Sequence, residues 1–198
     1  MTETYRLRIF YEKSGAALFI SGRNLLKIIE RTFRRLDVPL KFTEGFSPHP
    51  KISFGHPLPL NISGTNESFD VFLREKPAQE EIIRRTRNIL PEGIIFRSAR
   101  LADMNETSIT GSETFAEYIL ETEKEMDPHT LEKIGKIIRA GKSGIFMLIK
   151  INNFSHKDLT GLLLDGTVKS ISRHILDDKN YNPPHLTPPP QGGRDGRG

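Results

Sequence analysis

The apolar period of this chain switches between two and 3.6 residues in a set order, and that order constrains the fold more than anything else in the sequence. Residues 5–11 alternate: Tyr5, Leu7, Ile9 and Tyr11 face one way, and Arg6, Arg8 and Phe10 the other, the pattern of a half-buried strand. Residues 22–36 change to helical spacing, with Leu25, Ile29, Phe33 and Leu36 on one stripe. Ser21 is placed to cap that helix with its hydroxyl, and Pro39 forbids its continuation. A short strand at 40–43, a proline-stiffened loop at 44–50 and a strand at 51–54 come next. Residues 68–74 alternate again. A helix over 77–90 opens at Pro77, buries Ile82, Ile83 and Thr86, and stops at Pro91 and Gly93. A strand at 94–100 completes the series strand, helix, strand, strand, helix, strand. That series predicts a ferredoxin-like unit, an antiparallel sheet with two helices on one face.

The rest of the chain repeats the wiring more weakly. The pattern predicts a strand at 113–123, a helix from Pro128 to Ala140, an apolar strand at 144–154, a short helix at 156–164 capped by Ser155, and a strand at 167–176. The expected fold is therefore α+β, two tandem ferredoxin-like (βαββαβ) halves with antiparallel sheets. Their limits are 1–103 and 113–180, with a polar linker at 104–112. Residues 181–198 hold five Pro and four Gly. They are expected to form a disordered tail, because little apolar surface is there to offset the entropy of ordering.

Composition removes several functions. The chain of 198 residues has no Cys, which excludes disulfides, thiolate nucleophiles, zinc fingers and any iron–sulfur cluster ligated by these residues. No apolar run approaches the length of a membrane span, and the first residues, MTETYRLRIFYEK, have no signal-peptide layout. A cytoplasmic protein with no membrane partner is expected. No Gly-rich phosphate loop, nucleophile elbow or RNP1 signature is present. His49 and His56 lack a carboxylate pattern that would complete a metal site, so neither metal nor cofactor is expected.

Charge is distributed unevenly. Residues 1–51 hold ten Lys and Arg against five acids, while residues 113–133 hold seven acids against two bases. The basic excess gathers on the first helix, where Arg23, Lys27, Arg31 and Arg34 recur at helical steps opposite the apolar stripe, with Arg35 at its edge. Like charges at that spacing repel, which fits either a solvated face or one that meets an anion. The segment EGFSPHPK, Glu44 to Lys51, brackets His49 between Pro48 and Pro50, which biases the backbone toward extended geometry. It offers Phe46 for stacking and Ser47, His49 and Lys51 as hydrogen-bond donors, a combination suited to a nucleotide. Arg6 and Arg8, on the strand face away from Leu7 and Ile9, are expected to widen this basic surface.

Two separated motifs carry a resemblance. Phe19-Ile20-Ser21 with Glu30-Arg31 and Arg34-Arg35, then Gly45-Phe46-Ser47-Pro48-His49-Pro50-Lys51-Ile52-Ser53-Phe54, make the chain similar to the radical-SAM-linked domain family of bacteria. The resemblance covers about residues 4–180, with its specific motifs within 19–60. Gly22 and Asn24 depart from it, standing where that family usually has His and Asp. Members are often fused to, or encoded beside, a radical-SAM enzyme, in neighbourhoods that include ribonuclease and ribosomal-protein genes. The resemblance thus implies an accessory role in RNA metabolism, with a radical-SAM protein as partner and RNA as a second partner. Because these residues lack Cys, the radical-SAM catalyst is expected to be a separate polypeptide.

Two other classes of function compete. The basic helix face could instead dock an acidic surface of the partner protein without nucleic acid. Tandem ferredoxin-like halves are also the plan of CRISPR repeat endoribonucleases, in which His49 with Lys51 or Arg23 would serve cleavage. The favoured expectation is RNA or nucleotide binding by Arg23, Lys27, Arg31, Arg34, Arg35, Phe46, Ser47, His49 and Lys51, with no catalytic residue assigned.

Overall fold

Strand alternation at the start of the chain sets the scaffold. In the computed structural model, which describes residues 3–122, 131–141, 144–151 and 155–177, β1 (Tyr5–Lys13) sends Leu7, Ile9 and Tyr11 into a core. A 3-10 turn at Gly15–Phe19 leads into α1 (Gly22–Leu36), which lays Leu25, Ile29, Phe33 and Leu36 against the same core. The remaining elements are β2 (Ile52–Phe54), β3 (Ile62–Leu73), α2 (Gln79–Thr86), β4 (Ile94–Ala102), α3 (Ile109–Ser112), β5 (Glu113–Glu121), β6 (Lys136–Gly141), β7 (Gly144–Lys150), α4 (Lys157–Leu164) and β8 (Ser170–Asp177). Among the described residues this is a mixed α+β fold of four α-helices and an eight-stranded, mostly antiparallel sheet. None of these helices is long and apolar enough to cross a membrane.

β3 joins the two ends of the sheet. One of its edges pairs with β1, from Tyr5 opposite Leu73 to Lys13 opposite Gly64. Its other edge is divided. Ile62–Thr65 run parallel to Ile171–His174 of β8, and Phe69–Val71 run antiparallel to β2. The sheet therefore continues as β4-β1-β3-β8-β5-β7-β6, with β2 beside β3. Within residues 5–102 the neighbours read β4-β1-β3-β2, and within 113–177 they read β8-β5-β7-β6, the same order twice.

Two apolar clusters follow from this layout. In the first, the ring of Phe69 meets Phe96 at 5.2 Å, Phe54 at 5.6 Å, Tyr11 at 5.8 Å and Phe33 at 6.3 Å, all tilted or edge-on. Each such pair contributes about 0.5–1.5 kcal/mol beyond area burial. The second cluster gathers Tyr118, Met147, Ile149, Leu159 and Ile171 around β5, β7 and β8.

Several expectations need correction. Residues 40–43 form no strand; only isolated bridges link Leu40 with Leu73 and Phe42 with Pro50, because prolines interrupt the ladder on both sides. β3 begins at Ile62 rather than 68, and Asn66 takes a positive φ of 59° where the pairing with β1 shifts register. Residues 136–140 are strand, not helix. Ile134, Ile137 and Ile138 do share a helical stripe, but pairing with apolar β7 overrides it. The expected helix start at 128–130, the end of the 144–154 strand at 152–154 and the tail at 181–198 lie outside the described residues. α4 has His156 at its N-cap rather than Ser155, without a side-chain cap.

The largest correction concerns Arg6 and Arg8, which are buried. Arg6 Nε donates to Asp70 Oδ2 at 2.6 Å, and Arg8 Nε to Asp70 Oδ1 at 2.9 Å. Residues 104–112, expected as a plain linker, fold back over this face of the sheet and end in α3. Glu106 receives Arg8 Nη1 at 2.9 Å and Arg100 Nη1 at 2.9 Å, and its backbone carbonyl receives Arg6 Nη1 at 2.8 Å. These arginines fasten the segment and contribute nothing to an open basic surface.

Candidate nucleic-acid interface

The polar side of α1 is set by its ends and its buried stripe. Ser21 Oγ accepts from the Asn24 N–H at 3.3 Å, and Asp37 closes the helix in the left-handed region at φ 54°. Arg85 of α2 donates to the Leu36 carbonyl at 2.9 Å and so satisfies a terminal acceptor. With Leu25, Ile29, Thr32, Phe33 and Leu36 buried, the helix turns Arg23, Lys27, Arg31, Arg34 and Arg35 to solvent. Among the described residues, no carboxylate forms an ion pair with any of these five. Arg34 and Arg35 lie in the last turn, where the helix dipole favours them; Arg23 lies in the first turn, where it does not. From Arg23 to Arg34 the row runs about 16 Å along the axis.

The segment after α1 forms a small hairpin. Thr43 N–H donates to the His49 carbonyl at 2.8 Å, His49 N–H to Thr43 Oγ1 at 3.1 Å, and Lys51 N–H to the Lys41 carbonyl at 2.7 Å. Gly45 at φ 123° makes the bend that side chains rarely permit. Phe46 projects from the tip, at 107% of its reference exposure, and Ser47 and His49 are exposed beside it. The base of the hairpin meets α1: the Arg34 guanidinium lies 5.7 Å over the ring of Phe42.

The structure therefore brings the hairpin to the C-terminal end of the cationic helix, with Arg34 at the junction. It does not bring Lys51 there. Lys51 Nζ lies 4.7 Å over Phe72, which alternates along β3 with the core residues Val71 and Leu73 and so faces away from α1. Arg23 stands at the far end of α1 from the hairpin. A cleft of about 600 Å³ beside the hairpin was missed by sequence reasoning; Thr4, Lys41, Phe42, Glu44 and Arg74 line it. No local pattern in the sequence announced it, because Lys41 and Arg74 stand 33 residues apart and meet only through the pairing of the chain beside β3.

A second polar assembly ties the two ends of the sheet together. Arg173 of β8 is fully buried; Nε donates to Glu67 Oε1 at 2.8 Å, and the other nitrogens to the carbonyls of His56 at 2.9 Å and Pro57 at 3.0 Å. Glu113 opens β5 next to it. Its carboxylate accepts from Ser68 Oγ at 2.8 Å and from the His56 N–H at 2.9 Å, and it lies so close to Gly55 that any Cβ there would collide with it. Burial pushes the Glu113 carboxyl up to about 7, against the pull of those two hydrogen bonds. Burial likewise lowers His156 to about 4, so that its ring is neutral beside the Tyr118 hydroxyl, 2.9 Å away.

Glu113 gives the stability a pH dependence of definite sign. The unfolded carboxyl releases its proton near 4.5, and the folded one near 7. Between those values the folded state holds the extra proton, so stability falls as pH rises across the window, by on the order of 2–3 kcal/mol. Unfolding midpoints measured from pH 5 to pH 8 are expected to fall for the native chain and to change much less for Glu113→Gln; equal slopes would refute this assignment.

Fold and surface together define a mixed α+β protein with an open cationic helix next to an exposed aromatic hairpin. The chain belongs to the family described as an uncharacterized protein conserved in bacteria (DUF2344), whose model matches residues 6–163. No curated protein matches it. Among solved structures, the small subunit of acetolactate synthase from Thermotoga maritima is similar at 14% identity and a TM-score of 0.30, over 91% of this chain and 99% of that one.

Proposed function

We propose that this chain is an accessory RNA- or nucleotide-binding protein that works in the cytoplasm with a separate radical-SAM enzyme, in RNA modification or processing. One observation carries the binding part: five exposed cations on α1 have no carboxylate partner among the described residues. The buried arginines Arg6, Arg8 and Arg173, by contrast, are each paired with a carboxylate. An unneutralised row of mutually repelling charges is stabilised when a polyanion lies along it. The exposed ring of Phe46 supplies a stacking surface at the end of that row. Ser47 and His49 add donors; Lys51 would reach a ligand only around the edge of the sheet. The radical-SAM partnership rests on the motifs at 19–60, and the absence of Cys in these residues assigns the cluster chemistry to another region or chain. We also read the two stretches, 1–103 and 113–180, as tandem ferredoxin-like halves, which the recurring strand order supports.

The test is a titration of labelled single-stranded RNA with the full chain at several salt concentrations. Affinity is expected to fall steeply with salt, the logarithmic slope being about −0.7 for each phosphate engaged. Absence of RNA binding at the lowest salt, with retained binding to a radical-SAM protein, would favour a protein-docking role for the same helix.

A further inference from the structure

We infer that the cleft beside the hairpin is a nucleotide subsite, selective for bases that carry an exocyclic amino group; this rests on the RNA-binding reading of α1. At about 600 Å³ the cleft has room for a nucleotide. Its lining carries opposite charges at separate points, Lys41 and Arg74 against Glu3 and Glu44. Such a lining disfavours a bare polyanion, which the carboxylates repel. It suits a ligand with an anionic end and a donor-rich end, and a nucleotide is one.

The cations are placed for a phosphate. Lys41 Nζ donates to Thr4 Oγ1 at 2.8 Å, which fixes the ammonium and leaves it two further N–H donors. Arg74 is exposed and has no ion pair among the described residues, while its backbone is held by the Pro39 carbonyl at 2.8 Å. The aromatic wall is Phe42, whose other contact is Arg34 of α1, while Lys41 and Arg74 alternate with the core residues Leu40 and Leu73, so the cleft lies around the sheet edge from the cationic row. Glu3 already takes a hydrogen bond from the Tyr5 side chain. Glu44 is exposed and has no such partner among the described residues. A carboxylate only accepts, so it pairs with the amino group of cytosine, adenine or guanine, whereas uracil offers only its N3–H between two repelling carbonyl oxygens.

Amide NMR spectra of the full chain titrated with CMP and with UMP test the inference. CMP is expected to shift Thr4, Lys41, Glu44 and Arg74 and to bind about tenfold tighter than UMP. Glu44→Gln should erase the preference, and Arg74→Glu should weaken both nucleotides about tenfold or more. Both substituted side chains are exposed, and an unchanged melting temperature verifies folding. Equal binding of CMP and UMP, or shifts that map elsewhere, would overturn the subsite. If single-stranded RNA still binds in that case, the reading of α1 survives; if RNA fails as well, both fall.

Discussion

An Arg173→Met variant is expected to lose about 3–5 kcal/mol of unfolding free energy, the cost of leaving a buried charge without its partner. The side chain is fully enclosed, and its donors bind Glu67 on β3 and two carbonyls in the segment after β2. Removing it orphans the Glu67 carboxylate, itself 3% exposed, and leaves the buried ammonium of Lys13 to offset it. Two carbonyls lose their donors at the same time. β3 and β8 are paired through just Ile62–Thr65 and Ile171–His174, the shortest pairing on the path that joins the two ends of the sheet. The double variant Arg173→Met with Glu67→Met buries neither charge and should recover much of the loss. Urea unfolding at constant m-value measures both. A loss below about 1 kcal/mol in the single variant would show that the pair is not what joins the two ends of the sheet.

What the sequence disclosed, and what it concealed, follows the range of the interactions. α1 was legible because every determinant is local: the Leu25, Ile29, Phe33 and Leu36 stripe, the Ser21 cap and the stop before Pro39. The solvent-facing cations followed from the same period. Phe46 and His49 were legible as a stiff, exposed corner because Gly45, Pro48 and Pro50 act on the backbone directly. Arg6 and Arg8 misled because their partners are distant, Asp70 more than sixty residues on and Glu106 nearly a hundred. A period of two says which face a side chain takes, not whether a later segment covers that face. β6 misled for a related reason, since Ile134, Ile137 and Ile138 satisfy a helical stripe and only the pairing with β7 decides against it. The Glu67–Arg173 pair links residues 106 apart, and no local pattern announces it.

Reversing two charges on α1 is expected to reduce RNA affinity on the order of a thousandfold at low salt. Arg31→Glu with Arg34→Glu converts a helix of five cations and one carboxylate into one of three and three. Both side chains are exposed and lack ion pairs among the described residues, so the change acts on the surface field with little effect on folding. Arg34 also loses its place over Phe42, which disconnects the row from the hairpin. The loss should shrink as salt rises, because screening removes attraction and repulsion alike. The most direct measurement is fluorescence anisotropy of one short labelled single-stranded RNA, titrated at low salt with the native chain and with this double variant. Saturable binding by the native chain and its near-complete loss in the variant is the predicted result; equal affinity of the two proteins, or no binding by either, would contradict the account.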